Sequence, residues 1–434
     1  MFFCKRRARV FTKYSLLIVC SIFFTLLTVG SGPMPYELQE VTAASAVSRV
    51  NVDYRLSMNL LRILNQKDST NSIVSPLGMV NNLSILYVGS SGETRKQIAQ
   101  LLGISGTPVE FLDQQRMRMD NVMKAGRKEG ITFEYANIML IDDTCCKLRK
   151  TFEKSLTDGK ICKLEKIKYR HSGDAVARIN EWCREKTHDH IKTIIESEDI
   201  KSKSSFGTIE EPFFTLLSAV YFKGDWLSRF DENTNNQFPF YCEAGASGEM
   251  IDMMEQKASQ LEYGESGNIK ILKMYFKGAD FSLVVVLPDR IMSAKQLITE
   301  ITPEEIAKAS RNLLPHSVNV KMPKFDITNT IDLKPMMKNL GFPDMDDFTS
   351  MFEPTIAANT VYVEKMKQVN RFAVNEKGAE ATSVTETYSF SVGCCVAPRM
   401  PSVDFIMDRP FLYFLQYEND DSGTVLFAGC YAKP

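Results

Sequence analysis

The chain has 434 residues, 44% of them hydrophobic and 24% charged, a globular composition long enough for one large domain or two ordinary ones. Its formal charge is -1, and five of its 52 basic residues (Lys5, Arg6, Arg7, Arg9 and Lys13) precede residue 32 with no acid among them. The remainder is therefore net acidic, which gives no footing for general nucleic-acid binding.

The basic start runs to Tyr14 and is followed by an apolar run, Leu16 to Val29, and by the small residues Gly30, Ser31 and Gly32. This is the pattern of a secretory signal peptide over residues 1–31. The run is about 14 residues, short of the roughly 20 that a membrane span needs. The expectation is a secreted, extracellular chain with no membrane partner after cleavage. Residues 32–48 read as a polar linker and 49–434 as one domain without internal repeats.

Asn51 to Gln66 carries Leu56, Leu60, Leu61 and Leu64 at helical spacing. After Asn71-Ser72-Ile73-Val74-Ser75-Pro76-Leu77, the largely apolar stretch to Tyr87 predicts a buried helix. Asn82-Leu83-Ser84 is a glycosylation sequon inside it, expected to be unused. A Gly/Ser turn over 89–92 precedes a helix through Glu93 to Leu102. Phe111 to Lys128 predicts another helix, with Arg116, Arg118, Lys124, Arg127 and Lys128. That cluster reads first as a solvated charged face; Lys160, Lys163, Lys166, Lys168 and Arg170 read the same way.

Asn137 to Ile141 predicts a strand, and Ile179 opens a helix that the pattern carries through His188 and His190 to Lys192. Two residues apart on a helix, those histidines would face different ways and form no metal pair. Leu216 to Trp226 predicts a strand leaving into a turn, and Phe281 to Pro288 a buried strand stopped by proline. Val320 to Phe325 is strand-like. Asp332 to Gly341 is a helix ended by glycine. Thr360 to Val374 leads into the next segment, and Gly423 to Gly429 is a terminal strand.

Eight of the ten cysteines lie beyond the leader: Cys145, Cys146, Cys162, Cys183, Cys242, Cys394, Cys395 and Cys430. Secretion permits disulfides, but the spacing gives no framework. No histidine or CxxC lies near enough for a zinc site, and no cofactor is expected. No P-loop, HExxH, GxSxG or dinucleotide pattern is present, so the chain is not read as an enzyme.

Residues 376–402 are the most informative stretch. From Ala379, every second residue (Ala379, Ala381, Ser383, Thr385, Thr387, Ser389, Ser391) is small and uncharged, while Glu380, Glu386, Tyr388 and Phe390 alternate with them. Successive strand side chains face opposite ways, so this segment suits a strand with one small face, or a loop able to become one. Glu376-Lys377-Gly378-Ala379-Glu380-Ala381 resembles the hinge of the serpin reactive-centre loop. Phe405-Ile406-Met407-Asp408-Arg409-Pro410-Phe411-Leu412-Tyr413-Phe414 resembles the family's C-terminal signature. The Asn71 to Leu77 segment, the Glu93 to Leu102 run and the aromatic-Lys-Gly-x-Trp corner at Phe222 to Trp226, followed by Phe230, are similar in the same order. The resemblance covers about Asp53 to Pro434.

It implies an α+β serpin fold: a central, mostly antiparallel sheet with further sheets, about nine helices and an exposed reactive-centre loop. It implies a hinge at Glu376, Gly378, Ala379, Glu380, Ala381, Thr382, Ser383, Val384 and Thr385. It also implies a suicide-substrate inhibitor of a serine endopeptidase. The protease attacks the loop, an acyl-enzyme forms, and the cut hinge enters the central sheet. Ladder hydrogen bonds worth about 1 kcal/mol each would give a strand of about 14 residues on the order of 10 kcal/mol before entropy and strain. Counting 17 residues from Glu376 puts the reactive bond at Val392-Gly393, suited to an elastase-like or chymotrypsin-like partner; counting back from Val403 puts it nearer Val396, and Arg399 would suit a trypsin-like enzyme. The alternative is a non-inhibitory carrier, storage or binding protein of the same fold; inhibition of a cysteine protease is a third reading. Some relatives bind heparin through a basic helix near Arg116, so a glycosaminoglycan partner stays open. A monomer is expected.

Three positions depart from the family pattern in a polar cluster under the insertion point. Ser75 is kept, but Gly78 stands where serine is usual, Ser218 where asparagine is usual, and Gln368 where histidine is usual. Ala379 replaces the usual Thr or Ser of the hinge.

Overall fold

The computed structural model describes residues 54–66, 70–142, 147–157, 161–167, 172–197, 213–231, 236–341, 348–353, 361–376, 402–418 and 423–434. Residues 54–64 form α1, whose Leu56, Leu60 and Leu61 are buried. Strand β1 (Ser72–Val74) runs directly into α2 (Pro76–Gly89). Ser75 caps α2, its Oγ accepting from Gly78 N at 3.0 Å, and Pro76 occupies the first turn, where a missing N–H is harmless. Every residue of α2 except Val88 is buried, so the helix has no water-facing side and runs through the core. Asn82 is fully buried, which closes its sequon to glycosylation in the folded chain.

Helix α3 (Gly92–Leu102) ends on Gly103 in the left-handed region. Helix α4 spans Pro108–Ala125. It starts three residues before the expected Phe111 because Thr107 and Glu110 form a capping box at 2.9 and 3.3 Å. It stops before Arg127 and Lys128, so the five basic residues do not share one helix. Arg116 pairs with Asp113 at 2.6 Å and Lys128 with Asp280 at 2.5 Å.

Strand β2 (Ile131–Asp142), α5 (Lys150–Thr157), β3 (Lys163–Ile167) and α6 (Ser172–Lys186) follow. Helix α6 is offset from its expected span in both directions. It ends at Lys186 because His188 and Asp189 take positive φ of 48° and 63°, and the Thr187 hydroxyl turns the chain by bonding Cys183 O and accepting from Ile191 N. His188 and His190 therefore lie off the helix.

The remaining elements are β4 (Phe213–Gly224), β5 (Asn236–Phe240), β6 (Glu249–Ser266), β7 (Ile269–Tyr275), β8 (Phe281–Pro288), α7 (Ala294–Glu300), α8 (Pro303–Arg311), β9 (Leu314–Pro323), β10 (Phe325–Asp332), α9 (Leu333–Asn339), β11 (Tyr362–Val374), β12 (Val403–Ile406), β13 (Phe411–Tyr417) and β14 (Thr424–Tyr431). Among the described residues these make nine α-helices, matching the expected number. The glycine predicted to end α9, Gly341, has φ of 96°, a conformation that L side chains resist.

Two sheets result. The larger runs β1-β14-β13-β8-β7-β6-β9-β12 with β5 on β6, antiparallel throughout except at β9–β12. The central sheet runs β10-β11-β4-β2-β3. Its β10–β11 and β4–β2 pairs are antiparallel, and its β11–β4 and β2–β3 pairs are parallel. The faces of the central sheet alternate as strand geometry demands. Val220, Phe222 and Phe372 point inward against Leu283, Tyr413 and Phe427. Leu217, Ala219 and Val369 point outward and are covered by Ile179, Trp182 and Cys183 of α6 with Ile191, Ile194 and Ile195 beyond it.

Candidate functional site: the β4–β11 seam and the root of the hinge

Strand β11 lies parallel to β4 over Tyr362↔Phe213 to Phe372↔Phe222, with one register shift between Val363 and Lys365. The seam is closed, and three sets of side chains surround it.

The first set is the buried polar row beneath the sheet. Asn137, Ser218 and Gln368 stand side by side on β2, β4 and β11. Gln368 clamps the backbone of Ser75: its Oε1 accepts from Ser75 N at 3.0 Å and its Nε2 donates to Ser75 O at 3.2 Å. Asn370 Nδ2 donates to the same Oε1 at 3.1 Å. The Ser75 hydroxyl donates to Leu426 O at 2.7 Å. Separately, Asn82 of α2 donates to Ser218 Oγ at 3.3 Å and accepts from Asn137 at 3.0 Å. Gly78 is what makes the clamp fit: a Cβ there would lie 2.4 Å from Gln368 Nε2. The departures at 78 and 368 are thus one paired change, in which the shorter residue admits the longer side chain. Sequence reading flags both positions but not their pairing, because they lie 290 residues apart.

The second set holds the end of β11. Trp226 Nε1 donates to Asn375 O at 2.9 Å, and Phe230 N donates to Glu376 O at 3.2 Å. Lys324 pairs with the Glu376 carboxylate. Trp226 is stacked on Phe276 with centroids 4.3 Å apart. The aromatic corner expected around Trp226 therefore seats Asn375 and the first hinge residue, Glu376. Of the predicted hinge, only Glu376 is described. Gly378, Ala379, Glu380, Ala381, Thr382, Ser383, Val384 and Thr385, and the bond Val392-Gly393, lie outside the described residues, as do residues 1–31, the linker 32–48, and Cys145, Cys146, Cys394 and Cys395.

The third set lies on the outer face. Glu134, Tyr221 and Arg371 form a row across β2, β4 and β11. His190 stacks on Tyr221 with ring centroids 4.0 Å apart and planes 16° from parallel. Arg371 forks onto Asp326 of β10 at 3.0 and 2.7 Å and donates from Nη1 to His190 O at 2.9 Å. Burial, then the neighbouring Arg371, holds the His190 pKa below the ordinary imidazole value. Burial pushes the Tyr221 hydroxyl up to about 12. No sequence signal pointed to this row, since histidines read as helical suggested nothing.

The model of the family described as serpin (serine protease inhibitor) matches residues 51–434. This chain belongs to the serpin family. The serpin's relatives include the leukocyte elastase inhibitor of Sus scrofa, 26% identical over 397 residues that cover 88% of this chain and 98% of that protein. Iripin-1 of Ixodes ricinus is 26% identical over 381 residues, covering 86% and 92%. Among solved structures, Serpin48 of Tenebrio molitor superposes with a TM-score of 0.71 at 24% identity, covering 93% of this serpin and all of that chain. Strand β11 of this serpin thus leads to Glu376, where, by family resemblance, the hinge begins.

Among the described residues, no group of three or more His, Cys, Asp or Glu side chains is placed to hold a metal ion, and no helix is long and apolar enough to cross a membrane. Among the described residues, Cys162, Cys183, Cys242 and Cys430 are free thiols.

Proposed function

We propose that this serpin is a secreted inhibitor of a serine endopeptidase that acts as a suicide substrate, with cleavage at Val392-Gly393 followed by insertion of the hinge between β4 and β11. The observation that carries the proposal is the parallel β4–β11 seam, whose strand β11 leads directly to Glu376. β4 and β11 run parallel, so a strand returning from Glu376 and laid between them would be antiparallel to both. It would exchange one slanted parallel ladder for two antiparallel ones. The small residues Ala379, Ala381, Ser383 and Thr385 fall on one face of that strand and suit the tightly filled inner side of the sheet. Names among the relatives, such as leukocyte elastase inhibitor, support an elastase-like target, and Val392 offers the small apolar side chain that such a pocket takes. Residues 1–31 supply the leader for export.

The test is to mix the protein secreted from expressing cells with elastase-, chymotrypsin- and trypsin-like proteases. A covalent complex that survives SDS is expected, with a released C-terminal peptide starting at Gly393 and a mature N-terminus near Gly32. Cleavage by all of them without a complex would overturn the inhibitory reading. It would favour the second one, a serpin-fold carrier, storage or binding protein, for which the replaced cluster at Gly78, Ser218 and Gln368 is the specific observation.

A further inference from the structure

If the hinge enters between β4 and β11, the side chains that tie these strands must let go first. On the buried face the polar row divides at the seam. Gln368 serves Ser75 and Asn370, while Ser218 serves Asn82. Within this described cluster of Ser75, Asn82, Asn137, Ser218, Gln368 and Asn370, the hydrogen bonds group into a β11 half and a β4 half, and none crosses between them.

The outer face is different. His190 touches both sides of the seam: its ring lies on Tyr221 of β4, and its carbonyl holds Arg371 of β11. The segment around it is fixed at several points. His188 meets Glu134 of β2 at 3.1 Å. Asp189 N bonds Arg184 O at 2.8 Å and His190 N bonds Thr187 O at 2.9 Å, which holds the two left-handed residues in place. Downstream, Asn180 Oδ1 accepts from Ile194 N and Ile195 N at 2.9 and 3.2 Å, and Asn180 Nδ2 donates to Ile195 O at 2.9 Å. Ile191, Ile194 and Ile195 are buried on the sheet. Residues 187–195 form a strap laid over β2, β4 and β11.

We propose that this strap, through His190 bridging Tyr221 and Arg371, is a lock on the outer face of the β4–β11 seam, and that acid releases it. The acid arm follows from the charged and titratable groups that face His190: Arg371 of β11, Lys223 of β4, His188 of the strap and Asp326 of β10, with the Tyr221 ring beneath. Arg371 Nη1 lies 3.5 Å from His190 Nδ1. A guanidinium has no acceptor, so Nδ1 is the unprotonated nitrogen. A proton added there faces Arg371 directly, and the carboxylate that favours it, Asp326, is already forked to that arginine. The lock rests on the inhibitory reading only for its purpose; its existence is measurable without any protease.

The experiment is native-state hydrogen exchange on the full chain, read by mass spectrometry for wild type, His190→Ala and His190→Phe. In His190→Ala at pH 7.5, peptides from β4 and β11 should exchange about tenfold faster while those from β13 and β14 keep their rates. His190→Phe keeps the ring stack and the carbonyl, so its seam should exchange at the wild-type rate. Between pH 7.5 and 5.5, corrected for intrinsic exchange, the wild-type seam should loosen and the His190→Phe seam should not. Unchanged seam rates in His190→Ala, acceleration spread equally over β13 and β14, or a pH response retained in His190→Phe would each overturn the proposal. A seam that behaves as expected in a chain that traps no protease would leave the lock standing and remove the inhibitory reading.

Discussion

Gly78 shows how one absent Cβ sets a network. Serine at this position would bring its Cβ within 2.4 Å of Gln368 Nε2, so the Gln368 amide would have to give up its clamp on the Ser75 backbone. Gly78→Ser should cost about 1–3 kcal/mol by urea unfolding, as overpacked cores do. Combined with Gln368→Ala the clash disappears, so the double variant should lose less than the two singles summed. Additive losses would show that the residues act independently. His190 gives a prediction with a defined sign. Its folded pKa is lowered, so the unfolded chain takes up the proton first. The stability tied to neutral His190 is whole above about pH 6.5 and drains as pH falls through the lowered folded value. The urea midpoint of wild type should therefore fall more between pH 7.5 and 5.5 than that of His190→Phe.

Elements act here through their ends as much as their middles. Helix α6 stops at Lys186 and the strap takes over, its downstream end tethered by Asn180. Asn180→Ala removes three hydrogen bonds and strands the amides of Ile194 and Ile195 beside buried side chains. A loss of about 2–3 kcal/mol is expected, with faster exchange in peptides of residues 187–195 before any global change. The hinge is the other element whose behaviour follows from its pattern. Ala379→Arg puts a long charged side chain on the face that must be buried. Under the proposed function, the variant should be cut by the target protease at the wild-type rate and form no SDS-resistant complex. Retained complex formation would count against insertion.

At the scale of the molecule, the proposed function makes the five-stranded central sheet the starting state of a larger one. Cleavage in the loop should then raise the melting temperature on the order of 10 °C or more, from about 10 kcal/mol of added ladder and burial; calorimetry before and after limited proteolysis measures it. Local pattern alone determined much of this protein. The largely apolar, buried α2, the buried β8, the glycine that ends α9 and the alternation from Ala379 are legible because residue spacing maps directly onto helix and strand periods. The family signature ordered these pieces. Tertiary structure decided the rest. It placed Gly78 under Gln368, set Lys324 against Glu376, and drew His190 off its expected helix onto Tyr221 and Arg371. Each of these depends on residues far apart in sequence meeting at distances of a few ångströms, and a one-dimensional pattern carries no record of which distant side chain will fill the space that a neighbour leaves.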